Sequence, residues 1–335
     1  MKLLKEIIYI FFSNLININL FLIKIFKKKN YIYSKKISFG DTFTFYINNY
    51  FKIKRYKLKI IVFSKLEHEI SKLFFPKRFI IKTLFLIPKF IPVYRINIFL
   101  LQKKYFQPST YFELDYSKKL IFSKLRVLLI KLLKKNINNV SQEVKKLRSQ
   151  KFILIFVKHY NKNFSLKGSE PRQTSDFQKI YQTINFLLKN KIKIVVMGNK
   201  YDKSLGILKN KYCHSNNIIF FDKISLNHSI FDQLYVHYYS LFYIGSDSGA
   251  PIISRYLKKK MIIFDSIRNK DDSYQKSKDN LILFKKIIYN KKKQILSQQI
   301  HINNIENIDG KYIIKENSFL EIKNALSKMN YKLQK

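Results

Sequence analysis

Two short clusters in this chain carry residue types, suitably spaced, that could act chemically on a bound ligand, the first of them suited to a phosphate. The first is Gly245-Ser246-Asp247-Ser248-Gly249, which follows the aromatic and β-branched run Leu241 to Ile244 and precedes Pro251. Small polar residues after a strand make a turn, and proline suits the first turn of the helix that would come next. Such a turn leaves backbone N–H groups free at a helix start beside the carboxyl end of a strand, where a nucleotide phosphate binds well. The second cluster is Gly40-Asp41, a turn between the short strand that Ile37 and Phe39 would begin and a helix expected over Thr42 to Phe51. Asp41 would sit at the carboxyl edge of its sheet, facing ligand, or serve as a helix N-cap, the commoner fate of an aspartate there.

Positioning these clusters takes strands and helices in alternation, and the chain supplies them. Around the first cluster, Ile252, Ile253, Tyr256 and Leu257 give a helix one apolar side, and Met261 to Phe264 reads as the next strand. Phe152 to Val157 is an unbroken apolar run of the kind found in a central parallel strand. A polar stretch, His159 to Thr174, then leads to Ser175-Asp176, a cap for a helix reaching Leu188. Ile192 to Met197 is a strand ending at Gly198, Ile218 to Phe221 another, and Ile230 to His237 a helix. The loops beginning at Lys158, Gly198, Asp222 and Gly245 should meet at one edge of a doubly wound sheet. The first half repeats the plan with a strand from Leu58 to Phe63 and a helix over Glu67 to Phe75. Lys118 to Gln150 reads as a basic helical connection, the stretch after Ser266 as irregular, and Asn317 to Met329 as a closing helix. The expected organisation is a segment over 1–34, a Rossmann-like domain over 35–150 and a second over 151–335.

Composition narrows the partners. The 335 residues carry a formal charge of +44, but only eight of the cations are arginine. Proteins that read bases lean on arginine, and a chain rich in Lys, Ile, Asn, Phe and Tyr without Trp reads as the product of an AT-rich coding sequence. The remaining charge suits a sugar nucleotide or an anionic membrane surface. Cys213 is the only cysteine, which excludes a disulfide framework and a cysteine zinc site, and a reducing compartment follows. Ile7 to Ile23 is apolar between lysines, yet Ser13, Asn14, Asn17 and Asn19 interrupt it. It reads as an interfacial helix on the membrane, with a signal anchor and a buried first helix as the other readings. The expected location is cytoplasmic, peripheral at the inner face of the membrane.

Two α/β halves, a Gly-Asp turn and a late DSG turn resemble the GT-B glycosyltransferases related to the lipopolysaccharide heptosyltransferases. The second half is also similar to a bacterial family of surface-polysaccharide glycosyltransferases. Lys158-His159, Arg172, Met197-Gly198, Gly245 to Gly249, and the tail Glu316-Asn317-Ser318 with Glu321-Ile322 stand in that family's order. The resemblance implies two Rossmann-like domains facing a cleft and metal-independent, inverting transfer of a sugar from a nucleotide-diphosphate donor to a glycan or lipid-linked acceptor. No cofactor is implied beyond the sugar nucleotide as substrate, and no nucleic acid. It assigns the backbone amides of Ser248, Gly249 and Ala250, with Arg172 and then Lys158, to the leaving diphosphate. Asp41 would be the general base, Asp247 would hold sugar hydroxyls, and Gly198 with Asn199 would face the base or ribose, unless Gly198 is only a turn. Two departures stand out: Ile252 occupies the place of a heptosyltransferase histidine, and His159 that of an acidic residue.

Two other classes remain in view at this point. A nucleic-acid-binding protein would use the charge and the 53 Tyr and Phe residues, displaying them on one exposed face. A non-catalytic, membrane-attached GT-B-like protein would keep the fold without the chemistry.

Overall fold

Four short strands of the first half lie side by side, all parallel: β1 (Tyr31–Tyr33), β2 (Lys59–Val62), β3 (Ile80–Lys82) and β4 (Phe106–Pro108), in the order β3-β2-β1-β4. The computed structural model describes residues 11, 31–33, 39–62, 64–82, 106–108, 119–157, 177–198, 203–225, 228–246, 249–266, 280–289, 292–295 and 312–334. Helix α1 (Phe39–Arg55) joins β1 to β2. Phe43, Tyr46, Ile47, Tyr50 and Ile53 recur at helical spacing along it and are buried. Helix α2 (Lys65–Phe74) starts at Ser64, whose hydroxyl accepts from the Glu67 N–H at 3.1 Å. Gly40 and Asp41 lie inside α1 rather than in a turn before it, and Phe39 is helical rather than extended. The strand preceding the helix is Tyr31–Tyr33. Glycine and aspartate both suit a first helical turn, because the N–H groups there have no helical partner. Ile37 lies outside the described residues.

The second half forms a six-stranded, wholly parallel sheet from β5 (Phe152–Val157), β6 (Lys193–Gly198), β7 (Ile218–Phe220), β8 (Phe242–Ser246), β9 (Lys260–Ser266) and β10 (Asn280–Phe284). Its spatial order is β7-β6-β5-β8-β9-β10. Counted from the first strand of this half, that is 3-2-1-4-5-6, the Rossmann order. Ile153, Ile155 and Val157 of β5, with Ile244 and Phe264, pack on one face against α5 (Phe177–Lys189), α6 (Lys203–Lys211) and α10 (Phe319–Gln334), these three numbered after α3 (Lys119–Lys135) and α4 (Gln142–Lys145). A helical turn α7 (Phe221–Ile224), then α8 (Ile230–Tyr239) and α9 (Pro251–Tyr256) complete the alternation. The expected α/β class, with two Rossmann-like parallel-sheet units, holds.

Three local expectations are corrected. Gly245 and Ser246 belong to β8 rather than to the turn after it, Asp222 sits in α7 rather than opening a loop, and β9 runs on to Ser266. The stretch after Ser266 holds β10 and a three-stranded antiparallel sheet of β11 (Lys286–Tyr289), β12 (Lys292–Ile295) and β13 (Tyr312–Lys315), with β11 central. The closing helix begins with a capping box, Ser318 and Glu321 exchanging bonds at 2.8 and 3.3 Å.

The chain divides into two units, Met1–Leu128 and Leu129–Lys335, whereas the sequence reading draws the line at 150. Residues 129–150 belong with the second sheet because Asp232 of α8 ties them there. Its carboxylate accepts from the Ser141 N–H at 2.8 Å and from the hydroxyls of Ser141 and Ser225 at 3.2 and 2.6 Å, in a site where Asp232 is buried. Asp232→Ala would leave these donors without an acceptor and is expected to lower unfolding free energy by about 2–3 kcal/mol, with Asp232→Asn milder. Urea titration of the three proteins checks the ranking; equal midpoints would remove the carboxylate's role.

Candidate functional site

In an open parallel sheet of this order, two neighbouring strands send the chain off in opposite directions, and ligands bind at the carboxyl ends of that pair. Here the pair is β5 and β8, hydrogen-bonded in parallel with Phe156 opposite Gly245. Val157 and Ser246 end these strands at the same edge of the sheet. Lys158 follows directly on Val157 and Asp247 on Ser246, so the switch point coincides with the two stretches singled out in the second half. The edge also carries Gly198, opposite Val157 at the end of β6, and Phe264 of β9, opposite Ser246.

Of the expected donor-site residues, Gly198, Gly249 and Ala250 are described. Gly249 and Ala250 follow β8 as a bend and a turn, half-buried, and lead into Pro251 at the first position of α9. The Gly249 carbonyl accepts from the Ile252 N–H at 3.4 Å. Gly198 has a packing reason of its own: a Cβ there would stand 2.9 Å from the Val157 carbonyl oxygen, closer than side chains tolerate. Lys158, His159, Arg172, Asn199, Asp247 and Ser248 lie outside the described residues. Asp41 is in the first turn of α1, in the first unit, at the carboxyl side of β1; its side chain is likewise outside the description.

One residue at the switch point was not singled out from sequence. Ser246 is 1% exposed, and its hydroxyl has no hydrogen-bond partner among the described residues. A buried hydroxyl is normally bonded, so its position at the end of β8 is suited to a ligand oxygen. Next to it, Gly245 admits the ring of Tyr243, whose hydroxyl would lie 2.6 Å from a Cβ added there.

A buried ionic group braces the same side of the second sheet. Lys179, in the first turn of α5, reaches Asp265 at 2.8 Å and Glu316 at 2.6 Å. Asp265 and Asn317 bond reciprocally, each backbone N–H donating to the other's side-chain oxygen, at 2.6 and 2.7 Å. The Asn317 amide donates on to the Phe284 carbonyl at 3.0 Å. Burial pushes the Asp265 carboxyl above its usual range, and the Lys179 ammonium pulls it back. Asp265 also holds φ at 55°, a conformation its reciprocal bonds with Asn317 maintain. Among the described residues no group of three or more His, Cys, Asp or Glu side chains could hold a metal ion, and no helix is long and apolar enough to cross a membrane. Residues 1–34, read as membrane-associating, lie almost wholly outside the description.

No protein-family model matches this chain, and no curated protein does. Several solved structures are similar. A family 9 glycosyl transferase from Veillonella parvula is 10% identical over 76% of this chain and 86% of its own, with a TM-score of 0.43. The ADP-heptose lipopolysaccharide heptosyltransferase II of E. coli is 8% identical over 91% of this chain and 100% of its own, at 0.48. The UDP-GlcNAc 2-epimerase of Methanocaldococcus jannaschii, solved with UDP-GlcNAc and UDP, is 11% identical over 95% and 79%, at 0.36. The chain has an α/β fold whose second unit carries a parallel sheet of Rossmann order, and these glycosyltransferases and the epimerase are proteins to which it is distantly similar in structure.

Proposed function

We propose that this protein is a glycosyltransferase that moves a sugar from a nucleoside-diphosphate donor to a surface polysaccharide, lipopolysaccharide or lipid-linked acceptor, without a metal, at the inner face of the cytoplasmic membrane. The observation that carries the reading is the coincidence of the DSG turn with the switch point of a 3-2-1-4-5-6 sheet: β8 delivers that turn beside the end of β5. A diphosphate held there meets backbone N–H groups from Ser248 to Ala250 and the cations Arg172 and Lys158. Ser246 adds a hydroxyl from below, Asp247 holds sugar hydroxyls, and Asn199 meets the nucleoside.

The chemistry asks little else of the protein. An acceptor oxygen forms a bond to the anomeric carbon as the bond from that carbon to the diphosphate breaks, and the electron pair leaves on a phosphate oxygen. Charge therefore grows where the amides and the guanidinium stand, and preorganised donors lower the barrier at that point. The acceptor proton goes to Asp41.

Nucleoside-diphosphate release by the purified chain, measured across a panel of nucleotide sugars with and without added acceptor glycolipid, tests the reading. Arg172→Ala and Asp41→Asn are each expected to lower kcat/KM by about a hundredfold. Full activity in both variants, or no nucleotide release with any donor, would overturn it.

A further inference from the structure

We propose that the first unit carries a docking surface for anionic lipid headgroups at the amino-terminal edge of its sheet, formed where α1 turns into β2 and where the chain enters β3. The inference bears on the membrane part of the reading above and is independent of sugar transfer.

Aromatic rings run in unbroken contact from the core to this edge. Phe51 packs on Tyr50 at 5.4 Å, Tyr50 on Phe75 at 5.4 Å and Phe75 on Phe79 at 6.2 Å. Tyr50 and Phe75 are buried and anchor the row, whereas Phe51 is 53% exposed and Tyr56 59%. Cations sit on the rings: Lys54 over Tyr50 at 4.7 Å, Arg55 over Tyr56 at 5.4 Å, and Lys59 and Arg78 over Phe79 at 5.9 and 5.6 Å. Lys57 and Lys77 stand exposed beside them. The stretches 51–59 and 76–82 contain no Asp or Glu. Among the described residues, Lys54, Arg55, Lys57, Lys77 and Arg78 form no ion pair, and the acids of α2 are engaged elsewhere, Glu67 with Tyr46 and Glu69 with Lys72.

The exposed rings of Phe51 and Tyr56, framed by Lys54, Arg55 and Lys57, which form no ion pair among the described residues, match the headgroup layer of an anionic bilayer, where amphipathic rings settle at the interface and each cation meets lipid phosphate. Single-stranded nucleic acid fits less well, because base stacking needs open ring faces and the cations occupy those of Tyr56 and Phe79. The edge also lies opposite the carboxyl ends of the strands, so a docked bilayer would leave that end of the sheet free for a ligand.

The test is co-sedimentation of the full chain with phosphatidylcholine vesicles with and without phosphatidylglycerol. The variant Arg55→Glu/Lys57→Glu/Arg78→Glu is compared with a second-unit control of equal charge change, Lys189→Glu/Lys191→Glu/Lys328→Glu, both checked by thermal melting. A third variant, Phe51→Ser/Tyr56→Ser, removes the rings alone. Wild type is expected to bind the anionic vesicles, the edge triple to bind at least about tenfold more weakly, the ring variant to fall between, and the control to stay within about twofold of wild type. Equal loss in both triples would mean diffuse charge and overturn the inference. Undiminished binding of the edge triple would place attachment elsewhere in the chain and overturn it too, as would displacement of the chain from an oligonucleotide but not from vesicles by the edge triple. Nucleotide release from a soluble donor stays unchanged in every variant, so failure here leaves the sugar-transfer reading standing.

Discussion

Lys179→Met is expected to lower the stability of the second unit by about 3–5 kcal/mol at pH 7, with the deficit shrinking as the pH falls. The ammonium it removes is 8% exposed and lies between two carboxylates, one of them, on Asp265, fully buried. Without the lysine that carboxylate keeps its bonds from Asn317 but loses its countercharge, and an uncompensated buried charge costs far more than the pair was worth. The pH dependence follows from the direction of the shift. Burial raises the folded-state pKa of Asp265 above its unfolded value while Lys179 opposes the rise. Between the unfolded and folded values the native state therefore binds the extra proton, and stability grows as the pH is lowered. Removing the lysine removes the opposition, so the window moves up, and part of the loss at pH 7 should return by pH 5. Adding Asp265→Asn to Lys179→Met removes the charge itself and should restore more than half of the deficit, since the amide oxygen still accepts from the Asn317 N–H. Urea unfolding at both pH values checks each step. A deficit that is the same at pH 7 and pH 5, or a double variant no better than the single, would sink this account of the group.

That group also shows where reading from sequence stops. Lys179 and Asp265 are 86 residues apart and neither stands in a distinctive pattern; only folding brings α5 to the end of β9. The parallel strands were legible for the opposite reason. Strands covered on both faces must be apolar at every position, and FILIFV in β5 shows this without help from any neighbour. Lysine hid the antiparallel sheet, since KIIY, KKQI and YIIK mix cations with apolar residues and sit among further lysines. Glycine misled twice. Gly40 lies within a helix and Gly245 within a strand, the latter needed because Tyr243 folds against it. The place of the turn after β8 was legible, because small residues after a buried strand mark a turn, and a 3-2-1-4-5-6 sheet has its switch point at the end of that strand. The buried hydroxyl of Ser246 was not, since a serine one position before the turn looks like part of it.

Acid is expected to destabilise the second unit through His237, and His237→Phe to blunt that effect. The imidazole is 2% exposed, lies 2.7 Å from the Ser254 hydroxyl and stacks on Tyr243 with centroids 5.8 Å apart. Burial, and then the nearby Lys259 ammonium, lower its pKa from 6.5 to about 3. The folded protein thus keeps the ring neutral where the unfolded chain protonates it. Below pH 6.5 the unfolded state binds one more proton, and this residue removes stability at about 1.4 kcal/mol per pH unit, roughly 3 kcal/mol by pH 4. At pH 7 and above its contribution is complete and constant. Phenylalanine keeps the stack on Tyr243 but leaves Ser254 without its partner, so the variant should be weaker than wild type at pH 7 by about 1–2 kcal/mol. It should then lose less on acidification, and the two stability curves should cross between pH 6 and pH 4. Other carboxylates and histidines contribute the same slope to both proteins, so the difference between the curves isolates this ring. Parallel curves across that range would mean that the ring takes up a proton in the folded protein, opening the packing around Ser254 and Tyr243 to do so.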